Sequence, residues 1–147
     1  MGPRPRRTSV SDSPAPTKAI LIVDDEAIIL LSLRQELRTK LGSDYYYEIA
    51  KSAEEGLRVI DELSGEGVLV VLIISDWLMP GMKGDEFIGI VRERHPNVRT
   101  ILLSGMADEA TITKVLDSGD LDAYVRKPWN PHQLAKTCKE LLEAEKA

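Results

Sequence analysis

Short apolar runs alternate with stretches of helical periodicity about five times along this chain, and that alternation leaves few folds open. "AILIV" (19–23) is apolar throughout. Leu30, Leu33, Leu37 and Leu41 then recur at helical spacing until Gly42 stops them. A weaker strand, "YYEIA" (46–50), precedes a helix marked by Ala53, Leu57, Ile60 and Leu63. Val70 to Ser75 read as a third strand, and Phe87, Ile88 and Val91 mark a helix ending before His95-Pro96. "RTILL" (99–103) is followed by a helix carrying Ile112, Val115 and Leu116. "AYVR" (123–126) leads to a last helix opened by Pro131, a residue suited to a first helical turn. Strands apolar on both faces and separated by helices indicate a parallel sheet covered on both sides. The expected fold is therefore α/β, a doubly wound five-stranded parallel sheet.

With 147 residues the chain has room for one ordinary domain. Residues 1–18 read as a disordered basic Pro/Ser-rich tail, and 19–147 as the folded domain. Arg4, Arg6, Arg7 and Lys18 against Asp12 give the tail a net charge of +3, so a total of −5 leaves the body at −8. An acidic body argues against direct nucleic-acid binding, which needs a basic face. No apolar run reaches the length of a membrane span, and the N-terminus lacks the apolar centre of a secretory signal. One cysteine excludes an internal disulfide and fits a cytoplasmic setting. Cys138 shares a helical stripe with Leu134 and Leu142, so a core role is expected for it.

In open parallel sheets, ligands bind beyond the carboxyl ends of the strands, where strand order reverses. The first strand delivers Asp24, Asp25 and Glu26 to that rim, the third Asp76, the fourth Ser104, the fifth Lys127. Two carboxylates about 4 Å apart repel by roughly 4 kcal/mol at an effective dielectric near 20. A hard cation with oxygen ligands, such as Mg²⁺, holds such a cluster ionised. A cation, an ammonium and a carboxylate nucleophile together suit phosphoryl transfer. Taken alone, Asp24 and Asp25 would read as a helix N-cap; beside Asp76 and Lys127 the metal-site reading prevails.

"LIVDDE", "SDWLMPGMKG", "ILLSG" and "YVRKPW" stand in this order, and together they resemble the receiver domain of two-component response regulators. The resemblance spans about residues 19–143. It implies a flavodoxin-like strand order, 2-1-3-4-5. It also implies that Asp76 accepts a phosphoryl group from the phosphohistidine of a sensor histidine kinase or phosphotransfer protein. Asp25 would bind Mg²⁺ directly and Asp24 through water, with Asp76 and the Trp77 backbone carbonyl completing the protein ligands. Lys127 would pair with the phosphoryl oxygens, Ser104 would hydrogen-bond the aspartyl phosphate, and Tyr124 would swing inward behind it. Lys127-Pro128 would be a cis peptide. The chain would act as a switch and not as an enzyme beyond its own phosphorylation and dephosphorylation. The kinase would dock near the first helix and the loop after the fifth strand. An output protein, unidentified, would read the fourth helix, fifth strand and fifth helix. A homodimer formed on phosphorylation is a further expectation.

Some positions depart from the commonest pattern of that family. Ser104 stands where threonine is usual, and keeps the hydroxyl. "DSGDLDAYVRKPW" is similar to a subset with a longer loop before the fifth strand. Leu78 and Met106 are apolar where the family tunes water access, which implies a long-lived phosphorylated state. The last helix ends close to Ala147, so a separate output domain is not expected in this chain, which is either stand-alone or cut from something longer. Two other functions compete. An aspartate-nucleophile phosphatase would carry its nucleophile on the first strand with Asp two residues on, where Glu26 stands here. A pseudo-receiver, binding partners without phosphate, would not need the Asp24, Asp25, Asp76, Ser104 and Lys127 set.

Overall fold

The computed structural model describes residues 15–105 and 109–144. Residues 1–14 of the expected tail, and Met106, lie outside them. The elements run β1 (Lys18–Val23), α1 (Ala27–Leu41), β2 (Tyr46–Ala50), α2 (Ala53–Gly65), β3 (Leu69–Asp76), α3 (Gly84–Arg94), β4 (Arg99–Ser104), α4 (Glu109–Asp117), β5 (Ala123–Arg126) and α5 (Pro131–Ala144). All strand pairs are parallel, in the order β2-β1-β3-β4-β5. This is the expected flavodoxin-like sheet, with the reversal of order at β1 and β3. Three strands run a residue or so beyond the sequence reading, β4 through Ser104 and β3 from Leu69. β1 starts at Lys18, and β3 carries the ladder through Asp76, so the carboxylate is the last residue of the strand.

The core lies on both faces of the sheet because successive strand residues alternate sides. Ala19, Leu21 and Val23 pack toward α2 and α3, against Ile60, Leu63, Phe87 and Ile88. Ile20 and Ile22 pack toward α1 and α5, against Leu30, Leu33, Leu37, Leu134 and Cys138. Ala19 pairs with Val70 but Ile20 with Leu72, so Val71 is an extra residue, a β-bulge. It places Val71 and Leu72 on the same core face.

Caps set the helix ends. Gly42, at φ +91°, closes α1 by donating its N–H to the Arg38 carbonyl. The Ser52 hydroxyl accepts the Glu55 N–H at 3.1 Å to start α2. Asn130 Oδ1 accepts the N–H groups of His132 and Gln133 to start α5. α4 has no fully buried residue: Ile112 and Val115 are half-buried and Leu116 is exposed. The turn before β5 is pinned from the other end of the sheet. Arg92 donates to the carbonyls of Val98 and Gly119, and Asp122 accepts the Thr100 N–H at 2.9 Å. Among the described residues, no helix is long and apolar enough to cross a membrane.

Candidate functional site

Each rim residue is fixed by the strand that precedes it. Asp24 follows β1, its N–H donating to the Ala50 carbonyl of β2 at 3.1 Å. Its Oδ1 accepts the Glu26 N–H at 2.8 Å, which bends the chain into α1. The cap role considered for these aspartates is thus only a local turn; Glu26 holds the N-cap position, without a side-chain cap bond. Asp76 sits opposite Leu103 in the β3–β4 ladder, and the Trp77 N–H continues that ladder to the Leu103 carbonyl. Ser104 ends β4. Lys127 follows β5, held by its N–H to the Ser104 carbonyl at 3.1 Å.

These positions bring the expected side chains together. Asp24 is 1% exposed, Asp76 7% and Ser104 2%, whereas Asp25 faces solvent. Carboxylate oxygens of Asp24, Asp25 and Asp76 lie within 4.8 Å of one another. Lys127 Nζ stands between two of them, 3.1 Å from Asp76 Oδ1 and 3.3 Å from Asp24 Oδ2. The Lys127-Pro128 peptide is cis.

The electrostatics are those of a cluster short of positive charge. Burial pushes the Asp24 carboxyl above its ordinary pKa, with the Asp76 charge adding to the rise; the Glu26 N–H and Lys127 oppose it. Burial raises Asp76 as well, and Asp25 repels its charge, while Lys127 pulls the other way. For Lys127, burial alone would favour the neutral amine. The hydrogen bond and charge of Asp76, and then Asp24, outweigh it and raise its pKa. One ammonium therefore faces three carboxylates. Oxygen donors with surplus negative charge, two of them held on strand ends, fit a hard divalent cation such as Mg²⁺.

The Trp77 carbonyl, expected as a further ligand, accepts the Gly84 N–H at 2.9 Å, a bond that uses one of its two lone pairs. The three rim carboxylates are close enough to one another to share a cation. Tyr124 lies inward: its hydroxyl donates to the Ser104 carbonyl at 2.9 Å and its ring meets Trp77 edge-on at 6.3 Å.

Two features are not legible from the sequence. Gly84, in the glycine-containing stretch after Asp76, is the first residue of α3 and lies against the Asp76 and Trp77 backbone. The glycine itself was the only local signal. Trp129 packs its ring against the core, and its indole N–H also donates to Glu36 on α1. No sequence pattern links those two positions.

The fold recurs in known proteins. Residues 20–139 match the response regulator receiver domain. The chain is 32% identical over 126 residues to the sensor kinase CckA of Brucella abortus, covering 86% of this chain but 13% of that protein. It is 31% identical to the hydrogenase transcriptional regulatory protein HoxA of Cupriavidus necator, of which it spans 24%. It is 27% identical to the chemotaxis protein CheY of Thermotoga maritima, covering 84% of this chain and 97% of that one. A CheY-like receiver domain protein from Methanospirillum hungatei superposes with a TM-score of 0.75 at 35% identity, covering 88% of this chain and 96% of that one. With residues 20–139 matched by that family and the sheet order shared with its solved members, the chain belongs to the response regulator receiver domain family.

Proposed function

We propose that this chain is a phosphoacceptor of two-component signalling, with Asp76 as the residue that takes the phosphoryl group. One observation carries the reading: a carboxylate on the last residue of a buried strand, paired at 3.1 Å with Lys127 and clustered with Asp24 and Asp25. Asp76 Oδ would attack the phosphorus of a phosphohistidine, forming a P–O bond as the P–N bond breaks. The electron pair leaves on the imidazole, which takes up a proton. Lys127 sits where it can neutralise a phosphoryl oxygen, and Ser104 where its hydroxyl can donate to one. Asp24, Asp25 and Asp76 would hold Mg²⁺, which when bound supplies positive charge to the transferring group. Tyr124, already hydrogen-bonded to the Ser104 carbonyl, would report the state of Ser104 to the β5 surface.

Receiver domains are signalling domains and not classical enzymes, so output here is a binding event. The donor we propose is a sensor histidine kinase or phosphotransfer protein in the cytoplasm. Ile28, 80% exposed, and Leu31, 50% exposed, form an apolar stripe on α1 next to the rim, suited to a partner helix. An unidentified protein, or a second copy of this chain, would read the α4–β5–α5 side.

Intact mass and thermal stability, with Mg²⁺ and then with acetyl phosphate or BeF₃⁻, test the reading in wild type and Asp76→Asn. One added phosphate and a metal-dependent rise in stability, both lost in the variant, are expected. A folded wild type that takes neither would instead be a phosphate-independent binding module.

A further inference from the structure

Only Pro128 and Trp129 separate Lys127 from Asn130, the cap of α5. The segment is held at one end by the Lys127 N–H on Ser104 and at the other by the cap. Pro128 has no N–H to offer. Trp129 makes the remaining tie: its Nε1–H donates to Glu36 Oε2 at 3.1 Å, across 93 positions of sequence. One turn further along α1, Lys40 Nζ meets His132 Nδ1 at 3.2 Å. The short loop that delivers Lys127 is thus tied through Trp129 to the helix that follows Asp24 and Asp25, and the first turn of α5 beyond it through His132.

Lysine has a flexible four-carbon stem and a compact charge, so its ammonium is only as well placed as its backbone. An indole N–H on an ionised carboxylate is a charge-assisted bond, stronger than a neutral one and directional. We propose that Trp129 is a positioning residue. Through Glu36 it fixes the Lys127 backbone against α1, so that the ammonium stands between Asp24 and Asp76. The kinetic arm of its test rests on the phosphoacceptor reading; the spectroscopic arm does not.

The experiment uses the whole chain with Trp129→Phe, Glu36→Leu, the pair combined, and Glu36→Gln, which keeps an acceptor. The side-chain NH₃⁺ signal of Lys127, assigned by its loss in Lys127→Met, is read by NMR. In wild type it is expected apart from the exposed lysines. It moves toward them in Trp129→Phe and Glu36→Leu, and stays in place in Glu36→Gln. Phosphorylation by acetyl phosphate slows about tenfold in either single variant, as a small misplacement of a reacting group allows. The double variant is no slower, because both remove the same tie. An unmoved Lys127 signal in both singles, or rate losses that add and track a falling Tm, would overturn the proposal. A wild type that takes no phosphate sinks the reading of Asp76 alone, and the Lys127 signal then decides the positioning role.

Discussion

Gly84 packs against the carbonyl oxygen of Asp76 with no space for a side chain between them. A Cβ at Gly84 would collide with that oxygen, and would also lie 2.9 Å from Leu102 Cδ2 and 3.0 Å from Trp77 Cα. Two of those three neighbours are backbone, which cannot rotate away. The first turn of α3 is therefore seated directly on the peptide that carries Asp76. The Gly84 N–H bonded to the Trp77 carbonyl closes the same contact from the other side.

Gly84→Ala should accordingly destabilise the domain by about 3 kcal/mol, the upper range for overpacking a filled site. Helix propensity favours alanine by about 1 kcal/mol and would offset part of a milder clash. Urea denaturation of the two proteins measures the difference. A variant as stable as wild type would mean that α3 can slide off the Asp76 peptide without cost.

Asp24 and Asp76 should give the domain an unusual pH response. Burial raises both pKa values above 3.8, more than Lys127 lowers them. A raised carboxyl contributes stability that is fully present below its unfolded value and lost as pH rises through the folded one. Without metal, these two groups should thus cost stability on going from pH 4 toward neutrality. Mg²⁺ needs the ionised forms, so its stabilising effect should grow over the same window. Melting curves with and without Mg²⁺ across that range check both signs, and Asp76→Asn should flatten each trend. A Mg²⁺ effect as large at pH 4 as at pH 7 would contradict the ligand assignment.

The strands were legible because their burial is two-sided, which makes each a run of apolar residues that needs no partner to be recognised. Asp24, Asp76, Ser104 and Lys127 were legible for the converse reason, as polar residues at the ends of such runs. Phase inside a run was not legible. An all-apolar β3 shows no alternation, so the bulge at Val71 leaves no mark in the sequence. Pairing across the fold was hidden as well. Glu36 and Trp129, or Arg92 and Asp122, are ordinary surface letters until α1 meets α5 and α3 meets the turn before β5. The direction of the Trp77 carbonyl depends on where α3 begins, and a glycine in a loop did not reveal that.

Tyr47 ties the edge strand β2 to the end of α1. Its ring lies in the core, and its hydroxyl donates to the Gly42 carbonyl at 2.6 Å. Burial, then the neighbouring Tyr45, push its pKa from 10.0 to about 12. The stability this adds is complete below pH 10 and is lost as pH climbs toward 12. Tyr47→Phe should cost about 1 kcal/mol near neutrality, the worth of one hydrogen bond. The gap to wild type should then close above pH 10, since phenylalanine has nothing to ionise. A gap constant to pH 12 would mean that the hydroxyl ionises as readily folded as unfolded.

The docking role proposed for the apolar stripe on α1 can be tested apart from the chemistry. Ile28 and Leu31 are exposed and are not themselves among the hydrogen-bond partners of the rim carboxylates named above, so a charge there should leave the fold and the acceptor intact. Ile28→Glu should retain wild-type phosphorylation by acetyl phosphate, a donor that needs no protein surface. Transfer from a phosphorylated histidine kinase or phosphotransfer protein should fall about tenfold or more, the loss expected on removing one apolar anchor from an interface. Rapid-quench transfer assays with the two kinds of donor make the comparison. Equal loss with both donors would place Ile28 in the acceptor chemistry. No loss with either would move the docking surface away from α1.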